Sequence, residues 1–521
     1  MASPERPALQ PLSISVVGAG IAGLAAAIAL RRNGHVVQIF ESAAITAEIG
    51  AAIVVPVNSQ RVLEKFGYVQ ENLKAVHFDA VVGYDSKGGK GTAAGWLIPL
   101  EKQNLLCHRS DLRTELERLA LGPGEGPASV LHTSSQVVGC DTEEGTITLK
   151  DGRIIQADVV LGADGISSAI RNHIIGYVQK SIGSGQSCYR SLLDTAKLTE
   201  ISELDWMKED RSGLRIVVFR GSPLRTLLMY PCRSGTLLNF VAIFDDPTQE
   251  DLDWPAASTR EEVQARFAGF DAQFQPLLAA LPEVVPRWQQ RTVPVLPTWV
   301  RGRAAILGDA AHATMPTLGQ GAAMAVEDAG ALGVLFPAGT TRADVPARLA
   351  AYEALRKPRG EWLAQRSLEQ AVVPQKRGEY IQSKEMQEYM MEYDALKAAK
   401  NIYEERFGRG KSCGLRGASS VSVSNNTKYV PLNVVYESYM GALLRTIKLG
   451  AHAQPADDSQ LTYHWAIAQV DFHVYPAFRL LERHYYICTS ETRRKCLTLY
   501  KDFGVILAPL EEPYSKKPLW F

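Results

Sequence analysis

The stretch from Ile14 to Glu41 constrains this chain more than any other. An apolar run, Ile14-Ser15-Val16-Val17, leads into Gly18-Ala19-Gly20-Ile21-Ala22-Gly23 and an alanine-rich segment. A second apolar run, Val36 to Phe40, then ends on Glu41. That order reads as strand, tight turn, helix, strand, acid. Gly18 permits the turn, Gly20 lets the backbone approach a pyrophosphate, and Gly23 lets the helix pack on the strand. The helix N-terminus turns free N–H groups and its positive dipole end toward the phosphates. Glu41, 18 residues past Gly23, stands where a carboxylate accepts hydrogen bonds from ribose hydroxyls. The unit is a dinucleotide cradle, and alone it suits NAD as well as FAD.

Two further glycine turns follow strand-like runs. Ile154 to Leu161 reads as one buried strand ending at Gly162-Ala163-Asp164-Gly165, with serine caps and a helix start at Ile166–Arg171 behind it. Asp164 is placed to bond backbone or ribose. Ala304 to Leu307 leads into Gly308-Asp309-Ala310-Ala311-His312, then Pro316 and Gly319-Gln320-Gly321-Ala322, which opens a long alanine-rich helix. Asp309 would face the hydroxyls of an extended ligand. The helix N-terminus would favour negative charge on a reduced ring. His312 is expected to pack and bond locally. Between these turns, His108-Arg109-Ser110-Asp111-Leu112 starts a helix that Ser110 or Asp111 is in place to cap. Lys87 to Thr92 lacks the glycine and hydroxyl spacing of a P-loop and reads as a hairpin tip.

Strand-like runs dominate 181–298, suggesting an antiparallel sheet set apart from the first layer. The expected organisation is a flexible lead at 1–12, a first domain at 13–180, and an inserted sheet at 181–298. The first domain returns with helices at 299–400, and a linker and extension of open role occupy 409–521.

Equal numbers of acidic and basic residues, 56 each, give no footprint for a nucleic-acid partner. Seven scattered cysteines without a C-x-x-C pair fit reduced thiols and no metal site. With no signal-peptide pattern and no apolar run of spanning length, the expectation is a cytoplasmic protein without a membrane span.

Together the three turns resemble those of the class A flavoprotein monooxygenases, the salicylate- and para-hydroxybenzoate-hydroxylase-like enzymes with fungal secondary-metabolism relatives. Their order and spacing, roughly 140 residues from turn to turn, match that family over about 12–400. The resemblance implies an α/β fold: a Rossmann-like FAD-binding domain, an inserted antiparallel substrate sheet and a helical C-terminal part. It implies FAD as cofactor, NAD(P)H and O2 as co-substrates, and a small aromatic substrate. Glu41 would bind the adenosine ribose. Gly50 to Ala52 would line the ring or ribityl side. Arg109 would contact the diphosphate or ribose, Asp309 the ribityl or diphosphate portion, and Asp164 would join them in binding the cofactor. Gly321 and Ala322 would offer N–H groups to the flavin ring. Tyr189-Arg190 and Tyr230-Pro231 resemble the family's substrate-sheet stretches, which makes Arg190 and Tyr230 the catalytic candidates. Arg190 would hold a phenolate. The implied chemistry is hydroxylation of an aromatic secondary-metabolite intermediate through a C4a-hydroperoxyflavin. The competing readings are an epoxidase or indole oxidase of alkaloid or terpenoid synthesis, and a flavin-binding protein without turnover.

Overall fold

The computed structural model describes residues 10–44, 51–208, 213–219, 221, 223–246 and 256–408, and short strand segments between 432 and 509. Most of the expected lead (1–9), Gly50 and the expected linker at 409–431 lie outside the described residues. The chain divides into two compact units, Met1–Ser412 and Cys413–Phe521.

The first unit begins with β1 (Ser13–Val17), α1 (Ile21–Arg31) and β2 (Val36–Phe40), as its glycines require. All of α1 is buried, which its alanines allow. At Gly23 a side chain would run into the carbonyl of Gly18, so helix and strand meet at backbone distance. Next come β3 (Ala52–Val55) and α2 (Val57–Phe66), which ends at Gly67 in the left-handed conformation. A hairpin follows, β4 (Ala80–Asp85) and β5 (Thr92–Gly95), turning at 86–91 as the glycines there suggest. Then come β6 (Asn104–His108), α3 (Arg109–Leu121) and β7 (Val130–His132). The cap of α3 is His108, whose imidazole accepts from the Ser110 N–H, rather than Ser110 or Asp111.

The run expected as a single strand from Ile154 to Leu161 breaks in two. Ile154–Gln156 folds back on Thr146–Leu149, while β8 (Val159–Gly162) joins β1 in parallel. The two halves serve different sheets, so the chain bends at Ala157-Asp158. After α4 (Ala169–Ile175) come β9 (Ile182–Asp194), β10 (Gly213–Val218), β11 (Arg225–Cys232), β12 (Leu237–Asp245) and β13 (Val284–Thr292). The chain then returns through β14 (Val300–Arg301) and β15 (Ala304–Ile306) to α5 (Gly321–Leu335) and α6 (Val345–Val372).

Two sheets organise this unit. The first runs β14-β15-β8-β1-β2-β7 and is parallel except at β14. The second has the order 256–259, β13, β9, β12, β11, β10, β4, β5. Its last two strands come from residues 80–95, ahead of the inserted stretch, because β4 pairs in parallel with β10. One face is fully packed: Val82, Tyr84, Tyr189, Val217, Leu227, Met229, Phe240 and Phe244 bury against Phe267, Phe274 and Leu277. The other face looks toward β3 and β6 and is only half-buried at Leu192, Leu214, Ile216 and Leu228.

The closing helix expected near 388–395 ends at Met391, and a new helix, Ala395–Phe407, starts at the Asp394 cap. In the second unit, Leu432–Val435, Thr446–Ala453 and Tyr463–Gln469 form one antiparallel sheet. Tyr486–Cys488, Lys495–Leu499 and Val505–Pro509 form another.

Candidate active site

The three glycine turns meet at one edge. Val17 pairs with Gly162 and Gly162 with Ile306, so the turns after β1, β8 and β15 leave the carboxyl ends of adjacent parallel strands. That edge is where open α/β sheets bind ligands. Gly18 has φ +101°, and a side chain there would strike the Ala163 carbonyl. Gly308, at φ +59°, lies so close to α1 that a side chain would press on Ala22. At Gly20 the reason is different: a Cβ there would meet nothing within 4 Å. Packing does not demand that glycine, and the open space beside the N-terminus of α1 fits a diphosphate. Asp309 is exposed at the third turn, between buried Gly308 and Ala310.

Glu41 sits past the end of β2. One carboxylate oxygen accepts from Ala19 N in the first turn (2.8 Å) and the other from Ala43 N (2.9 Å), so the side chain braces the cradle it was expected to complete. Arg109, half-buried, opens α3, its N–H bonded to the Ala51 carbonyl at 2.9 Å. One turn on, Arg113 was missed: it donates to the Ala19 carbonyl (3.1 Å) and pairs with Glu117 (2.8 Å). Its i+4 spacing from Arg109 on one helix face was the available signal.

Of the two kinds of bond expected of Asp164, to backbone or to ribose, the backbone one is present. Its carboxylate accepts from Ser168 Oγ (2.5 Å), Ala169 N (2.8 Å) and Ile170 N (3.1 Å), so it caps α4. Burial raises its pKa, more than those bonds lower it. Buried Arg171 then ties this turn to the third one, donating to the carbonyls of Ile166, Gln179 and Ala310.

The substrate sheet approaches the cradle at Ala52. The Tyr230 hydroxyl donates to the Ala52 carbonyl (2.6 Å), and Ala52 N donates to Asn239 Oδ1 (3.3 Å). Burial pushes the Tyr230 pKa up, outweighing Arg190 nearby, so the phenol stays protonated and committed to the backbone. Arg190 lies on the same face beside Cys188 and Tyr230. Its Nε is buried and makes no hydrogen bond among the described residues. Strand alternation sends Tyr189 to the opposite face, where it stacks on Phe244 and bonds Arg266 (3.2 Å). The expected Tyr-Arg pair is therefore split, and only Arg190 faces the site.

Gly321 and Ala322, both half-buried, open α5 behind Gln320. Beneath them lies a buried polar network. Glu327 binds Arg359 through two oxygens (2.8 and 2.9 Å), Arg356 (2.8 Å) and Asn58 (2.7 Å). Asp328 binds Arg356 (2.8 Å), His312 (2.7 Å) and Gly308 N (3.0 Å). His312 packs and bonds locally, as expected. No cluster of metal-ligating side chains occurs among the described residues, and no described helix is long and apolar enough to cross a membrane.

Three glycine turns on one sheet edge, with a second sheet joined to the same unit through Tyr230 and Ala52, form the scaffold of an FAD-binding aromatic monooxygenase. The model of the FAD binding domain family matches residues 12–367, and the chain belongs to that family. It is an FAD-dependent monooxygenase that takes NAD(P)H as co-substrate. The chain is 41% identical over 408 residues to hispidin-3-hydroxylase of Neonothopanus nambi, covering 75% of this chain and 96% of that one. It is 34% identical over 361 residues to the FAD-dependent monooxygenase cfoG of Aspergillus candidus, covering 67% and 82%. Among solved structures it resembles a salicylate hydroxylase substrate complex, with TM-score 0.62 and 25% identity over 75% of this chain and 98% of that one. Hydroxylation and monooxygenation by these relatives fit the leading reading better than epoxidation, indole oxidation or flavin binding without turnover.

Proposed function

We propose that this enzyme hydroxylates a phenolic secondary-metabolite intermediate held as its phenolate by Arg190. The observation that carries this is the buried, unpartnered Nε of Arg190, on the half-buried face beside Ala52 and Tyr230. A guanidinium there lowers the pKa of a bound phenol and fixes the ring by a charge-assisted hydrogen bond. A phenolate is a stronger carbon nucleophile than the phenol at the position beside its oxygen. The proton leaves to solvent, since Arg190 cannot accept it. Tyr230 acts through its bond to Ala52, fixing β3 against the substrate sheet.

FAD held here and reduced by NAD(P)H would activate O2, one oxygen atom entering the product and the other leaving as water. The chain's own residues hold the cofactor. Glu41 takes the adenosine ribose while bracing the first turn. The open space at Gly20 takes the diphosphate, with Arg109 at its side. Asp309 takes the ribityl hydroxyls, and Gly321 and Ala322 direct N–H groups at the ring from the N-terminus of α5. Asp164 contributes by holding its turn. The sequence carries no second dinucleotide fingerprint, which fits NAD(P)H binding transiently without a Rossmann domain of its own. The fit to reduced thiols supports a cytoplasmic enzyme.

Hispidin, named in one relative, and salicylate, named in another, are the first compounds to assay. Faster NAD(P)H oxidation by the yellow protein with one of them, and a hydroxylated product, would support the proposal. A flavin-loaded protein indifferent to every phenol would refute it.

A further inference from the structure

β3 runs between the groups proposed to hold the two ends of the cofactor. Just ahead of it, the Ala51 carbonyl accepts from the N–H of Arg109 (2.9 Å). Further along, Val54 packs against the turn that leads into α5, where a side chain at Gly319 would stop 3.1 Å from it. Ala51 and Val54 are half-buried, as are Arg109, Gly321 and Ala322. Ala52 lies within this stretch, and the substrate sheet takes both of its polar groups. Its carbonyl accepts from the Tyr230 hydroxyl, and its N–H donates to Asn239 Oδ1 at 3.3 Å. Tyr230 and Asn239 are register partners on β11 and β12, so they reach Ala52 from one face of the sheet.

Tyr230 spends its only proton on this contact, whereas Asn239 spends none. A backbone N–H can only donate, so the amide atom that faces Ala52 is the oxygen, and the NH2 group occupies the other arm of the planar amide. Asn239 is 2% exposed, and its Nδ2 makes no hydrogen bond among the described residues. A buried donor left without an acceptor costs stability. The spare donor stays within one amide of Ala52, on the stretch that joins Arg109 to the start of α5. An acceptor brought there by a ligand would satisfy it.

We infer that Asn239 is a flavin-binding residue, whose Nδ2 donates to a carbonyl oxygen of the flavin's pyrimidine ring while its Oδ1 holds β3. The two pyrimidine carbonyls are acceptors on the edge of the ring, and they gain negative charge when the ring is reduced. The bond therefore strengthens on reduction. Asn239 couples the substrate sheet to the cofactor and favours its reduced form. This rests on the placement of FAD between Arg109 and α5 and requires no phenol.

The test loads the full-length apoprotein, wild type and Asn239→Leu, with FAD, 2-thio-FAD or 4-thio-FAD. Affinity is read by titration of the flavin spectrum, and the midpoint potential by reduction against a reference dye. Leucine should weaken FAD by about tenfold, the loss of one neutral hydrogen bond. The reduced ring should lose about tenfold more, which lowers the two-electron potential by about 30 mV. Sulfur is a weak acceptor, so the affinity penalty should shrink to about twofold or less with the analogue altered at the contacted carbonyl, and persist with the other. A merely structural role would cost all three cofactors alike. Equal penalties, unchanged FAD affinity, or an effect confined to phenol binding would overturn the contact. Should Asn239→Leu fail to fold, Asn239→Asp keeps an acceptor for Ala52 N and makes the same comparison. Glu41→Ala tells the contact from the placement. If it weakens FAD while the Asn239 penalty ignores the analogue, the contact falls and the placement stands.

Discussion

At the scale of single residues, the site rests on groups whose partners set what they are able to do. The Nε of Arg190 is buried without a hydrogen bond among the described residues, whereas the Tyr230 hydroxyl is already given to Ala52. Arg190→Ala should leave the protein yellow and lower kcat/KM for a phenol by about a hundredfold or more, the cost of stranding a desolvated charge. Steady-state kinetics on the FAD-loaded variant checks this, and normal product formation would return Arg190 to a structural role. Glu41→Ala removes the charge-assisted bond to the first turn and, in the proposed role, the one to the ribose. FAD affinity should fall by about ten- to a hundredfold, equivalent to about 1.5–3 kcal/mol, as measured by fluorescence titration. Sequence alone put Glu41 just past the end of the second strand, and the structure has it there. For Asp164 the sequence left backbone and ribose both open, because an aspartate after a strand and before a helix serves equally as ligand or cap, and the bonds to Ser168, Ala169 and Ile170 show the cap.

At the scale of elements, α5 carries Gly321 and Ala322, proposed to meet the flavin ring, and a buried ionic layer joins it to α6. Burial alone would raise the pKa values of Glu327 and Asp328. The Arg359 and Arg356 charges on Glu327, and His312 and Arg356 on Asp328, more than reverse this, and both carboxyls end lowered. A carboxylate lowered on folding stabilises the fold above its unfolded pKa, about 4, and loses that contribution as the pH falls through the folded value. Stability to urea should therefore hold from neutrality to about pH 4 and fall below it. Glu327→Gln should cost about 3–5 kcal/mol by stranding a buried arginine and should flatten the acid side of the profile. An unchanged urea midpoint would show that the layer is not holding α5. This layer was invisible in the sequence, since its partners lie about 30 residues apart on different helices and carry no motif. The glycine turns were legible because each demand on backbone shape leaves a glycine behind. The recruitment of β4 and β5 into the substrate sheet was not, because alternation marks a strand without naming its neighbour.

At the scale of the whole molecule, every residue proposed for FAD and substrate lies within Met1–Ser412, which is compact on its own. A chain ending at Ser412 is expected to bind FAD as the full chain does, checked by flavin content after purification. Because the proposed FAD site draws on three separate turns, the cofactor should also stabilise that unit as a whole. At a hundredfold excess over Kd the gain is about 2.7 kcal/mol, visible as a rise in Tm on adding FAD to the apoprotein.

The most direct measurement follows oxygen. The FAD-loaded enzyme is given NAD(P)H and a phenol, hispidin first, under isotopically heavy O2, and the product is weighed by mass spectrometry. Hydroxylation at this site should place one heavy oxygen atom in each product molecule and accelerate NAD(P)H oxidation only when the phenol is present. A product without heavy oxygen, or NAD(P)H oxidation indifferent to every phenol, would contradict it.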